Sequence, residues 1–386
     1  MRSHRKMPKR TRGIEQEPVS TPIVQSTTFT FPNTKSLIEF QKGKREGFIY
    51  TRYSNPTIEA VENRIADLEN AERSLLFASG MAAISSVALS SLKSGDEVLS
   101  SYPVYGGTAH LFEDLFKTLK IKVKYFPAEN LKNLDKKINS KTKLIYLESP
   151  TNPNLQIIDL KAVVAIARKR KIKTVVDSTF ATPVLQQPIN MGIDLVIHSV
   201  TKFMGGHSDI IGGVVSGSWK NLEKVYEYRK LLGGCMDPHP AFLLEKGLKT
   251  LEVRMDRHCE NAANIALFLE TDRRVKNVIF PGLASHPQHQ IAKTQMNGFG
   301  GMVTFDLGNK IKAEIFADSL KLVKNAVSLG GTESLVSLPI WTSHYGLKDG
   351  DLRKAGVTPG MVRLSVGLEK IDDLIKDISR ALKKIK

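Results

Sequence analysis

Lys202 follows a short apolar, β-branched run, Leu195 to Ile197, and sits between Thr201 and Phe203 in the stretch Asp194 to Gly213, DLVIHSVTKFMGGHSDIIGG. Such a run reads as a buried strand, which places the lysine at a strand exit. Partial desolvation there lowers the pKa of an amine and leaves it nucleophilic. In an extended chain Ser199 and Thr201 point to the same side, where their hydroxyls can meet an anion such as a phosphate. A lone lysine in a glycine-rich loop is ordinarily a solvated one. The flanking hydroxyls, the Gly-Gly-His after Met204 and the Gly212-Gly213 pair argue for chemistry instead.

Other polar residues stand at similar punctuation points. Tyr50 and Arg52 face one way if their segment is extended, and together offer a phenol and a guanidinium to an anion. Asn55-Pro56 is a turn signal, after which Thr57 and Glu59 are placed to cap a helix running on to Leu68. Ser79-Gly80-Met81 joins a short apolar strand to a run of small helix formers, so its backbone amides lie at a helix N-terminus, where phosphate is favoured. Tyr105 opens a Gly-Gly loop, and a tyrosine at such a strand exit can lie against a planar ring while its phenol moves a proton. Glu148, Asn152 and Asp177 follow the strands Leu144 to Glu148 and Thr174 to Asp177. A carboxylate ending a Val-Val run is poorly hydrated and needs a cationic partner. Arg363, in the otherwise apolar Met361 to Gly367 strand, needs a buried anion, for which a substrate α-carboxylate competes with Glu333 or Glu369. Ser328 lies in a small-residue loop, Val327 to Ser334, able to approach a ligand closely.

The elements that must hold these groups alternate strand and helix, the pattern of a doubly wound, mostly parallel sheet. Ligands of such sheets bind beyond the carboxyl ends of the strands, where Glu148, Asn152, Asp177 and Lys202 all fall. The chain divides into an extended, proline-bearing arm over residues 1–48, a large domain over 49–245 and a smaller α+β C-terminal domain over 246–386, with the boundary near Lys246 in a long helical region. Its 386 residues, 41% hydrophobic and 25% charged, suit a globular protein of two or three domains. No apolar run is long enough to span a bilayer, so no membrane association is expected. The two cysteines, Cys235 and Cys259, make neither a disulfide framework nor a metal site, and the proline inside His286-Pro-Gln-His289 spoils a helical ligand pair. No metal is expected. The formal charge of +17 raises nucleic acid as a partner, but the basic residues lie on amphipathic helices and in the tail Arg2 to Arg12, without any nucleic-acid recognition signature. Steering of anionic substrates accounts for the charge without it. The tail lacks the apolar segment of a signal peptide, and a cytoplasmic location is expected.

The pattern Ser199-x-Thr201-Lys202-x-x-x-Gly206-His207-x-Asp209 resembles the Schiff-base lysine segment of the Cys/Met-metabolism family of pyridoxal-phosphate (PLP) enzymes, and the resemblance runs from about Glu17 to Ile371. It implies fold type I, PLP bound covalently to Lys202, and Asp177 paired with the cofactor's pyridine nitrogen. It further implies that Gly80 and Met81 amides, Ser79, Ser199 and Thr201 hold the phosphate, that Asn152 bonds the ring hydroxyl, and that Tyr105 stacks on the ring and assists the leaving group. By the same resemblance, Tyr50 and Arg52 reach into a neighbouring subunit's site, implying a dimer commonly paired into a homotetramer. Ser328 and Arg363 then contact an amino-acid substrate.

The implied reaction is γ-elimination or γ-replacement on sulfur amino acids or homoserine esters. Cystathionine-processing members commonly carry Glu where this chain has Val327, as methionine γ-lyases and sulfhydrylases do not; dedicated methionine γ-lyases usually carry Cys in place of Gly107. The balance tilts to a cystathionine γ-lyase or γ-synthase type, with methionine γ-lyase or O-acylhomoserine sulfhydrylase as alternatives. A nicotinamide dehydrogenase lacks support, because no Gly-x-Gly-x-x-Gly follows an early strand. A basic nucleic-acid-binding protein leaves the lysine segment unexplained.

Overall fold

The computed structural model of the chain describes residues 18–128 and 130–385. The basic tail and the first part of the expected arm lie outside the described residues. Among the described residues the large sheet has seven strands: β1 (Arg73–Phe77), β2 (Glu97–Tyr102), β3 (Lys122–Pro127), β4 (Thr142–Glu148), β5 (Lys173–Asp177), β6 (Leu195–His198) and β7 (Gly213–Gly217). Their spatial order is β1-β7-β6-β5-β4-β2-β3, and only β7 runs antiparallel to its neighbours.

Alternation along these strands feeds two cores. Leu144, Val175 and Ile197 face Ile84 and Val87 of the Gly80–Ser91 helix and Leu222 and Val225 of the Trp219–Leu232 helix. Ile145, Leu147, Val176 and Val196 face Val163, Val164 and Ala167 of the Leu160–Arg170 helix on the other side. Both faces are covered, which is why β6 is buried throughout and reads as a continuous apolar run. Each fully buried aliphatic side chain contributes roughly 1.5–3 kcal/mol, enough to hold the strand ends, and whatever follows them, in fixed register.

A second sheet of β8 (Asn277–Ile279), β9 (Met302–Asp306), β10 (Lys324–Asn325), β11 (Leu335–Ser337) and β12 (Met361–Ser365) has the order β10-β11-β12-β9-β8. It packs with the Ile371–Leu382 helix around Val303, Phe305, Val362, Leu364 and Ile378. Lys246 falls inside the Pro238–Lys249 helix, and the chain breaks helix at Thr250 before resuming over Leu251–Glu270.

Three local expectations need correction. The described part of the arm is not wholly extended, because Asn33 caps a helix over Thr34–Gln41 by accepting from Ser36 N at 2.9 Å. The Pro56–Leu68 helix is capped by Asn55, whose Oδ1 accepts from Thr57 N, while Thr57 Oγ1 donates to Pro22 O. Tyr50 to Tyr53 form a turn closed by Tyr53 N donating to Tyr50 O, not an extended segment, and the turn brings the Arg52 guanidinium to 5.5 Å from the Tyr50 ring.

Candidate active site

Lys202 is fixed by its own loop. β6 ends at His198, and the chain then turns back, with Gly205 N donating to Val200 O and Gly206 N to Lys202 O. The buried Arg254 clamps this turn by donating to Phe203 O and Gly247 O, both at 2.7 Å. Gly206 has φ +76, and a Cβ there would sit 2.0 Å from Arg254 Nη1, so no other residue fits without moving the clamp. Lys202 Nζ donates to Ser328 Oγ at 2.7 Å. Burial, with the nearby Arg363 charge, brings the ammonium down to about 8.

Around it lies a cavity of about 690 Å³. Of the residues singled out in the sequence, Ser79, Gly80, Met81, Tyr105, Asn152, Asp177, Ser199, Thr201, Lys202, Ser328 and Arg363 line it. Tyr50 and Arg52 do not. Arg52 Nη1 donates to Lys230 O at 3.0 Å, and its guanidinium lies over the Tyr50 and Tyr53 rings.

One end of the cavity is the start of the Gly80–Ser91 helix. Ser79 caps it, its Oγ accepting from Ala82 N at 3.0 Å. A Cβ at Gly80 would come within 3.0 Å of Ser199 Cβ, so the absent side chain lets the helix start abut the loop after β6. Although β6 has already ended, Ser199 and Thr201 both line this end; Ser199 N donates to Thr179 Oγ1, and Thr201 Oγ1 exchanges hydrogen bonds with Gly212.

The floor carries two buried carboxyl groups. Asp177 Oδ1 accepts from Thr179 N and Oγ1, while Asp177 Oδ2 has no donor among the described residues. Glu148 accepts from Tyr105 N at 2.7 Å and from Asn152 N at 2.8 Å, and so ties together the two loops that flank the cavity. Burial raises both carboxyls, Glu148 further through repulsion from Asp177, and neither has an ion-pair partner among the described residues.

Opposite them, Arg363 on β12 donates to Asn152 Oδ1 at 2.8 Å and to Ser328 O at 3.2 Å. Neither expected carboxylate reaches it: Glu369 accepts from Ser334, and Glu333 from Ser208. Burial pushes the guanidinium down to about 10, a cation without a counterion among the described residues.

Reasoning from sequence missed two parts. Thr179 links Asp177 to the Ser199 backbone, though its place two residues beyond a strand-ending Asp was a legible signal for such a turn. The segment Trp341 to Tyr345 forms one wall, and nothing in its local sequence places it there. Among the described residues no cluster of three or more His, Cys, Asp or Glu could hold a metal ion.

The site therefore offers an amine of lowered pKa, a helix N-terminus with hydroxyls for a phosphate, a buried carboxylate oxygen awaiting a cation and an unpaired guanidinium awaiting a carboxylate. These are the complements of PLP and of an amino acid, and the donor set fits both. The family model described as Cys/Met metabolism PLP-dependent enzyme matches residues 6–383. The chain is 40% identical over 368 residues to a cystathionine gamma-lyase of Bacillus subtilis (strain 168), covering 95% of each. It is 41% identical to an L-methionine gamma-lyase of Pseudomonas putida, over 94% of this chain and 92% of that one. Its fold matches the crystal structure of cystathionine gamma-lyase from Lactobacillus plantarum complexed with L-serine, with TM-score 0.90, 36% identity and coverage of 95% and 94%.

Proposed function

The chain belongs to the Cys/Met metabolism PLP-dependent enzyme family and is a PLP-dependent enzyme acting on sulfur amino acids, and from that premise we propose elimination or replacement at the γ-carbon of its amino-acid substrate. The observation that carries this reading is Lys202, an amine brought down to about 8 inside a cavity whose other polar groups complement a cofactor and an α-carboxylate.

When bound, PLP supplies an electron sink for the charge that develops at the substrate Cα. Lys202 Nζ would be the attachment point and, as a free amine, the base that moves the Cα proton. Asp177 would keep a proton on the pyridine nitrogen, since burial disfavours its carboxylate and a cation beside it offsets that cost. The amides of Gly80 and Met81, with Ser79, Ser199 and Thr201, would hold the phosphate, and Asn152 would orient the ring hydroxyl; all of them line the cavity. Arg363 binds the α-carboxylate with its planar fork, which points the Cα–H bond toward Lys202. The Tyr105 phenol gives a proton to the departing sulfur.

Cystathionine γ-lyase or γ-synthase chemistry is the first reading. A Cβ at Gly107 would lie 2.6 Å from the Tyr105 ring and 3.0 Å from Met81 Sδ, so a cysteine at that position would require the tyrosine to move. Methionine γ-lyase or O-acylhomoserine sulfhydrylase activity is the second reading, favoured by the exposed Val327 at the mouth. Purified, PLP-loaded protein incubated separately with cystathionine, methionine, cysteine, and O-acylated homoserine plus a thiol decides between them. 2-Oxobutyrate, ammonia and thiol mark elimination at the γ-carbon, whereas pyruvate marks elimination at the β-carbon; a new thioether marks replacement; neither 2-oxobutyrate nor thioether from any substrate refutes the proposal.

The working unit we propose is a homodimer, paired into a tetramer, in the cytoplasm, with neither nucleic acid nor membrane as partner. Leu231 and Leu232, exposed beside the Lys230 carbonyl that Arg52 contacts, are an apolar surface suited to a second copy. No helix among the described residues is long and apolar enough to cross a membrane.

A further inference from the structure

The ionisable acid and base side chains lining the cavity are Glu148, Asp177, Lys202 and Arg363; the last three are engaged with the cofactor and the α-amino acid end of the substrate in the function proposed above, and Glu148 accepts from the backbone of Tyr105 and Asn152. What remains toward the mouth is largely apolar, with Thr342 and Ser343 between the aromatic residues. Tyr105, Ile211, Val327, Trp341 and Tyr345 all line the cavity and are all exposed to solvent. With Tyr105 given to the leaving group in the function proposed above, four large, mostly apolar side chains left open around one cavity form a surface that gains by covering itself with a ligand.

This rim is built rather than incidental. Trp341 Nε1 donates to Glu314 Oε1 at 2.9 Å, and Lys310 Nζ lies 4.3 Å from the indole ring; both partners sit on the Lys310–Ser319 helix. The Tyr345 ring lies 6.1 Å from that of Trp341, tilted by 38°. The segment is stapled by His344 N donating to Pro339 O at 2.9 Å and Thr342 Oγ1 to Leu338 O at 3.0 Å. It also abuts the loop carrying Tyr105, since a Cβ at Gly106 would meet Ser343 O at 2.7 Å. An indole with its N–H already bonded and its position fixed offers a rigid aromatic surface at little ordering cost.

We propose that this rim is a subsite for a bulky apolar or aromatic sulfur substituent, with Trp341 as its specificity-determining residue, so that the enzyme accepts thioethers such as S-benzylhomocysteine. The turnover part rests on the γ-elimination proposed above. There the bond between the γ-carbon and sulfur breaks, sulfur leaves as the thiol with one proton, and the carbon skeleton takes up one water to give the α-keto acid and ammonium. No oxidant or second substrate is needed.

Binding separates the subsite from the chemistry. Norleucine and ω-phenylnorleucine carry carbon in place of the sulfur of methionine and S-benzylhomocysteine, and so have no thiolate to expel. Titrated calorimetrically into PLP-loaded wild type, ω-phenylnorleucine binds about tenfold more tightly than norleucine. Trp341→Ala reduces that preference to within about twofold, and Glu314→Ala, which frees the indole, reduces it part of the way. Equal affinities in the wild type, or a preference that survives Trp341→Ala unchanged, overturn the subsite. S-benzylhomocysteine is then assayed for benzyl thiol and keto acid. Both products appear if the parent reaction is right; their absence alongside an intact binding preference sinks the elimination and leaves the subsite standing.

Discussion

Lys202 Nζ donates to Ser328 Oγ at 2.7 Å, a contact that joins the loop after β6 to a loop 126 residues further along the chain. Ser328 holds φ +88, a conformation that a side chain rarely adopts, and its carbonyl accepts from Arg363. One strained residue thus touches both cations of the site, the amine that binds cofactor and the guanidinium that meets substrate. Strain at such a position persists only where the surrounding structure over-determines it, here from both sheets at once.

The lowered pKa of Lys202 makes cofactor loading pH-dependent. Its neutral fraction rises as pH climbs through about 8, whereas an ordinary lysine requires pH near ~10.4. The rate at which apoprotein takes up PLP therefore shows a midpoint at about 8, followed by absorbance in stopped flow. Arg363→Leu removes a repelling charge and moves the midpoint upward. Lys202→Ala yields no borohydride-trapped cofactor on its peptide and loses on the order of 10²–10⁴ in turnover. An adduct on another lysine would remove Lys202 from its role.

Glu148 links apoprotein stability to pH. Burial and the neighbouring Asp177 raise its carboxyl above the ordinary 4.5, so between that value and its folded pKa the unfolded chain binds fewer protons than the folded one. Stability of the apoprotein accordingly falls as pH rises through this interval. Urea unfolding of the apoprotein across pH 5 to about 8 reads the slope, and Glu148→Gln flattens it. An unchanged slope in that variant assigns the effect elsewhere.

In the proposed dimer Arg52, which lies outside its own cavity, serves another copy's site. Arg52→Ala and Lys202→Ala are then each inactive alone, yet refolded together they form mixed dimers with one intact site. Random pairing restores about one quarter of wild-type activity. No recovery in a mixture shown by native mass spectrometry to contain mixed dimers contradicts the shared site.

How much was legible in the sequence follows from the range of each interaction. The strand endings at Glu148 and Asp177, the helix start at Gly80 and the lysine turn are written in runs of adjacent residues, because period-two burial, capping and glycine punctuation are local effects. The same locality misled in small ways: Asn55 competed with Thr57 for one helix start, and a tight turn replaced the extended reading of Tyr50 to Arg52. Membership of the family was readable for the same reason, its signature lying within a single loop.

Tertiary structure alone decided the rest. That Arg363 meets Asn152 rather than Glu333 or Glu369 depends on how the small sheet docks onto the large one. The acidity of Lys202 depends on what that docking buries, and the wall of Trp341 and Tyr345 on where a remote helix holds an indole. Desolvation and long-range packing are properties of the assembled surfaces, and they have no trace in the spacing of neighbouring residues.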